Sequence, residues 1–125
     1  MKLLLRAIKD RIQGKVPLFG ASRSRQWPVV RSHWVKVNGE CAACGAKTNL
    51  QVHHIKPFHM EPSLELAYTN LITLCETPFG PGCHLTVGHL GSFKNVNPTS
   101  VLDAADIREA MGLPDLVFVI PASCY

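Results

Sequence analysis

Four cysteines, Cys41, Cys44, Cys75 and Cys83, constrain this chain more than any other feature it carries. Cys41-Ala-Ala-Cys44-Gly45 has the spacing of a zinc knuckle. Two thiolates separated by two residues both reach one tetrahedral ion, and a glycine after the second eases the tight turn. A single Cys-x-x-Cys also suits a redox pair, but that reading wants a βαβ context, and none is evident in the pattern. A second pair decides between them, and Cys75 with Cys83 is the candidate. The segment between them, Glu-Thr-Pro-Phe-Gly-Pro-Gly, is longer than the usual two to four residues but rich in turn formers. It can loop out and still return Cys83 to the metal. A four-cysteine zinc site is expected, and a degenerate or empty one is the alternative. Cys124 has no evident partner and reads as a free thiol.

The rest of the composition fits a small folded domain. At 125 residues one domain is the default, with a modest stability margin. A hydrophobic content of 46% argues against disorder. Net charge is only +4, but it is unevenly spread: residues 1–47 hold ten Lys/Arg against two Asp/Glu, and residues 48–125 hold three against seven. A basic N-terminal half suits a polyanion or an ordinary solvated surface equally. No run approaches the roughly 20 apolar residues of a membrane span. Met1-Lys2-Leu3-Leu4-Leu5 imitates a signal peptide only until Arg6, Lys9 and Asp10 interrupt it. A cytosolic setting is therefore expected, where cysteines are metal ligands more often than disulfides.

Periodicity places the motifs. Leu4, Leu5, Ile8 and Ile12 predict a short amphipathic helix over 3–13, ended by Gly14 and Pro17. Residues 15–25 read as a loop. In it, Arg23 and Arg25 suit phosphate contact, while nearby Trp27 suits an anchor of the arm to the core. Pro28 opens a helix over 28–37 whose Val29, Val30, His33, Trp34 and Val37 share a face, with His33 packed or on the surface rather than a ligand. Asn38-Gly39 closes it. Leu50–Ile55 alternates as a strand, so His53 and His54 point to opposite faces, one buried and one exposed, unless a bulge or the strand end at Lys56-Pro57 brings them together. Residues 58–69 read as a loop with one helical turn, in which His59 has no assignment. Asn70–Cys75 reads as a second strand, pairing with the first across this long connection. His84 onward starts a helix weakened by Thr86, Val87 and Gly88. Ser100, with Asp103 three residues on, predicts the N-cap of a helix over 100–111 that Gly112 stops. Leu116–Ile120 is a final apolar strand or extended segment.

Together, Cys41-x-x-Cys44, Val52-His53-His54-Ile55, Asn70-Leu71, Cys75 and Cys83-His84 resemble the HNH endonuclease family over about residues 38–96. The resemblance implies an α+β chain with a ββα-metal core and a zinc knuckle, flanked by N-terminal helices and a C-terminal helix. It divides the chain into a basic helical arm (1–37), the nuclease core (38–96) and a C-terminal helix with an extended tail (97–125), all in one compact unit. It implies His54 as the general base, Asn70 as the residue holding the base's loop, and His53 and His84 as ligands of a catalytic divalent ion. His89, five residues beyond His84 rather than four, is a weaker third ligand, and Gly88 stands where some members carry one. The structural zinc would sit on Cys41, Cys44, Cys75 and Cys83. Arg23, Arg25 and Arg31 would meet DNA.

Those residue types suit phosphodiester hydrolysis. A neutral histidine takes a proton from water near pH 7, and one divalent ion neutralises charge on the phosphate and the departing oxygen. Two imidazoles favour Mn²⁺, Ni²⁺ or Zn²⁺ by ligand preference, while the family commonly uses Mg²⁺. The leading expectation is a metal-dependent DNA endonuclease of a bacterial or phage-infected cytoplasm. The alternatives are a non-catalytic zinc-stabilised DNA-binding module and an accessory factor of a phage DNA-processing assembly. Oligomeric state is not legible in the sequence.

Overall fold

A computed structural model describes residues 22–77 and 81–122. The helix expected over 3–13, and Cys124, lie outside the described residues. Helix α1 (Trp27–Val37) opens with Pro28 in its first turn, where the missing N–H costs nothing. Strands β1 (Leu50–His54) and β2 (Leu71–Cys75) form an antiparallel pair, with His53 opposite Ile72 and His54 opposite Leu71. A five-residue π-helical segment, His84–Gly88, and helix α2 (Ser100–Ala110) follow. This is an α+β fold with a ββα core, as the sequence predicts.

Both faces of the small sheet are covered, which is why all five residues of β2 are buried. Pairing puts Ile72, Leu74 and His53 on one face, toward Val87 of the π-helical segment and Ala104 of α2. Val52, Leu71 and Thr73 lie on the other, under Val30 and Trp34 of α1. Only Val30 and Trp34 of α1 are buried, while Val29 and Val37 are 47% and 41% exposed. Two strands about 5 Å apart are too narrow to cover a wider stripe, so the predicted five-residue face shrinks to an i, i+4 pair. Trp34 Nε1 donates to Thr73 Oγ1 (3.0 Å), which in turn donates to the Asn38 carbonyl (2.9 Å). That relay satisfies the polar atoms of a buried helix–sheet contact.

The C-terminal region straps the fold together. Asn38, which caps α1, donates to the Val119 carbonyl (2.7 Å) and accepts its N–H (2.8 Å). Residues 113–120 run without regular secondary structure, so the final apolar stretch takes the extended form. Arg108 is 5% exposed, and its guanidinium donates to the carbonyls of Pro114 and Cys41 and to Glu40.

The expected Ser100 cap is corrected. Ser100 is the first helical residue and fully buried, and Thr99 precedes it as N-cap. Asn97 does the organising instead. Its amide donates to the Val87 carbonyl and to Asp103, and its oxygen accepts the Thr99 N–H. Tying the π-helical segment to α2 places Asn97 where a cap from Ser100 was anticipated.

Candidate active site

The sequence places Cys41 and Cys44 on the turn after α1, Cys75 at the end of β2, and Cys83 at the entrance to the π-helical segment. Their four Sγ atoms lie within 4.8 Å of one another. Cys44 and Cys75 sulfurs are 3.6 Å apart, close to the roughly 3.8 Å edge of a tetrahedron with 2.3 Å metal–sulfur bonds. The donor set and its spacing therefore fit a tetrahedral metal. Backbone N–H groups of Cys44 and Cys83 point at the sulfurs of Cys41 and Cys75, each at 3.5 Å. Burial pushes the Cys41 thiol up, but N–H bonds led by that of Cys44 outweigh it and leave the thiol below its ordinary range. Burial, then repulsion from Cys41 and Cys75, drives Cys83 far above it. After burial, neighbouring sulfurs add to the rise at Cys44 and Cys83, a repulsion that a bound cation would reverse.

The insertion between Cys75 and Cys83 is accommodated by Gly82. A Cβ there would collide with the Cys75 carbonyl oxygen, so the returning chain passes against β2 closer than any other residue allows.

The imidazoles of His53, His84 and His89 form a second cluster, with ligand atoms also within 4.8 Å of one another. Ring centroids are 5.1, 4.8 and 4.9 Å apart. His89 was the weak candidate on spacing, and the π-helical segment explains its arrival. Five residues overshoot a 3.6-residue turn by more than a third of a revolution but come much nearer to closing a wider π turn. Gly88 is also reinterpreted. A Cβ on it would sit 3.2 Å from His53 Cε1 and 3.3 Å from Nδ1, so its bare backbone is the surface against which the His53 ring lies. Gly88→Ala is expected to push that ring aside and weaken metal binding by the three imidazoles about tenfold with the metal content of the four thiols unchanged. Calorimetric titration beside elemental analysis checks this.

The ring nitrogens are prepared for ligation. His84 Nδ1 lies 2.7 Å from Glu76 Oε1, and His89 Nδ1 lies 3.0 Å from the Asn95 carbonyl. Each acceptor holds a proton on Nδ1 and leaves Nε2 as the lone-pair nitrogen. Burial, reinforced by facing His84 and His89, lowers His53 to about 3, so it is neutral at physiological pH. Exposed Phe93 packs on both His84 and His89. A groove of about 530 Å³ runs from Glu76 and Gly82 past Leu85 to Phe93.

His54 stands apart from this cluster, as strand alternation requires. Its ring lies 4.4 Å from that of Trp27, and its Nε2 is 2.9 Å from the Glu65 carbonyl. The carbonyl accepts, so Nε2 carries the proton and Nδ1 the lone pair. Burial lowers its pKa, with the Glu65 carbonyl opposing. Asn70 is buried and closes the loop that follows His54. It accepts the Lys56 N–H (2.8 Å) and donates to the Lys56 carbonyl (3.0 Å), and its own carbonyl accepts the Ile55 N–H.

Of the basic residues, Arg23 pairs with Glu65 at 3.4 Å and lies over the Phe58 ring, and Arg31 reaches Gln51. Arg25 is exposed, as is His59, which belongs to neither cluster. Glu76, Asn97 and Arg108 went unnoticed in the sequence. Only the repeated adjacency of Cys75 to Glu76 and Cys83 to His84 offered a signal.

No helix among the described residues is long and apolar enough to cross a membrane. Residues 41–89 match the family model for HNH endonucleases. No curated protein and no solved structure matches the chain.

Proposed function

From the match of residues 41–89 to the HNH endonuclease family model, we propose that the protein is a metal-dependent endonuclease that hydrolyses phosphodiester bonds in DNA. The observation carrying this is the cluster of His53, His84 and His89, with His54 next in sequence to His53 on the other face of β1. Residues 38–96 form the nuclease core in this reading.

His53, His84 and His89 would hold a divalent ion, which would supply neutralisation of charge on the phosphate and the departing oxygen. Three imidazoles suit Mn²⁺, Ni²⁺ or Zn²⁺ by ligand preference, and Mg²⁺ remains open to the assay below. His54 is the general base. The Glu65 carbonyl holds the proton on Nε2, Trp27 packs the ring, and Nδ1 is left to take the proton of the attacking water. Asn70 keeps the loop after His54 closed, which fixes the base's backbone. The four cysteines hold a structural zinc, the metal that four thiolates at tetrahedral spacing most often take. Arg23 and Arg25, just before α1, and Arg31, within it, provide phosphate contacts that set affinity rather than sequence preference.

A supercoiled-plasmid assay tests the activity. The zinc-loaded protein is expected to nick or linearise plasmid with Mg²⁺, Mn²⁺ or Ni²⁺ and to do nothing in excess EDTA. The second reading, a DNA-binding module without catalysis, is favoured by the basic N-terminal half. It predicts a gel shift whose log K falls steeply with log salt, and no cleavage in any metal.

A further inference from the structure

Among the described residues, Glu76 is the acidic side chain that touches the imidazole cluster. Its Oε1 lies 2.7 Å from His84 Nδ1, with the His84 side chain 17% and the Glu76 side chain 44% exposed. Among the described residues, the groups able to hold a metal comprise the three imidazoles and the four thiols, and Glu76 belongs to neither group. Its geometric role is therefore toward His84 and not toward the ion.

We propose that Glu76 is the positioning residue for His84, holding Nε2 toward the metal and thereby setting the affinity of the three-histidine cluster for its divalent ion. This rests on the metal site of the preceding reading. The carboxylate accepts the Nδ1 proton, fixes the tautomer and the ring plane, and makes Nε2 a stronger donor. His89 receives a neutral backbone carbonyl at the same position, 3.0 Å away. Among the described residues, His84 alone of the three is given a charged acceptor.

The thiolate cluster sets the spacing of this pair. Cys75 and Glu76 are adjacent, as are Cys83 and His84. In each dipeptide the first residue turns to the thiols and the second to the imidazoles. The Cys83 N–H reaches the Cys75 sulfur, and Gly82 permits the close passage beside the Cys75 carbonyl. Gathering the cysteines on one ion brings the carboxylate to the imidazole.

Zinc-loaded wild type, Glu76→Ala and Glu76→Gln are compared by Mn²⁺ titration, followed by calorimetry and by electron paramagnetic resonance of the free ion. Zinc content and melting temperature are recorded alongside. Glu76→Ala is expected to bind Mn²⁺ about 10–100-fold more weakly at unchanged zinc content. Glu76→Gln should fall between the two, because its amide oxygen still accepts from Nδ1 but carries no charge. Plasmid cleavage by Glu76→Ala should recover at saturating Mn²⁺. Equal Mn²⁺ affinity in wild type and Glu76→Ala overturns this inference alone. Loss of zinc from both variants overturns it in favour of a purely structural role. A wild type that binds no Mn²⁺ overturns it together with the metal site beneath it.

Discussion

His54→Ala is expected to slow plasmid cleavage by about two to four orders of magnitude, the usual contribution of a positioned general base. The loss should fall on the chemical step, measured in single turnover, and not on metal binding. His53 belongs to the opposite face of β1 and keeps its contacts with His84 and His89. The structural cost is small by comparison. His54 is half-buried and contributes one hydrogen bond to Glu65 and one ring contact to Trp27, so about 1 kcal/mol of stability is at stake. A variant with wild-type Mn²⁺ affinity and a collapsed rate identifies the base. If it cut plasmid as fast as the parent, the proton would have to go elsewhere and the assignment would fall.

The second large effect is on stability. Chelating the metal from the four thiols, or replacing Cys75 by serine, is expected to abolish cooperative unfolding at ambient temperature. Cys41 and Cys75 are not peripheral: they belong to the buried cluster that includes Ile72, Leu74, Val87 and Ala104. Zinc contributes about 10–16 kcal/mol of apparent binding free energy in small zinc-dependent folds. A domain of this size is stable by only about 5–15 kcal/mol. Removing a term as large as the whole leaves the folded state without a margin. The transition is followed by the near-ultraviolet circular dichroism of buried Trp34, with one zinc per chain counted beforehand. Protein that purifies without zinc and still melts in a single sharp transition would refute the structural-metal reading.

The two candidate metal-binding clusters were largely legible in the sequence because their residues sit in local motifs. The paired cysteines, the adjacent histidines on an alternating strand and the asparagine opening the second strand each announce themselves within a few residues. The structure gathers the four sulfurs and orders the two strands as read. What escaped was everything that depends on a turn of unusual pitch or on partners far apart. His89 was ranked below His84 because five residues do not close an α-helical turn, and nothing in His-Leu-Thr-Val-Gly declares a π-helical one. Gly88 looked like a missing ligand until His53, 35 positions earlier, was seen against it. Glu76 sat inside a segment dominated by proline and glycine and read as loop. Arg108 and Asn38 owe their burial to Cys41 and Val119, partners that no periodicity points to.

The bonds between Asn38 and Val119 and between Arg108 and Cys41 span 81 and 67 positions. During synthesis at about 5–20 residues per second, the carbonyl of Cys41 waits roughly 3–13 seconds for its guanidinium. Cys83 is made sooner, about 2–8 seconds after Cys41. On the ribosome, then, all four thiols exist before the clasp that locks α1 and the knuckle against the C-terminal region. The order of manufacture favours a nascent chain that loads its ion first and shuts around it last.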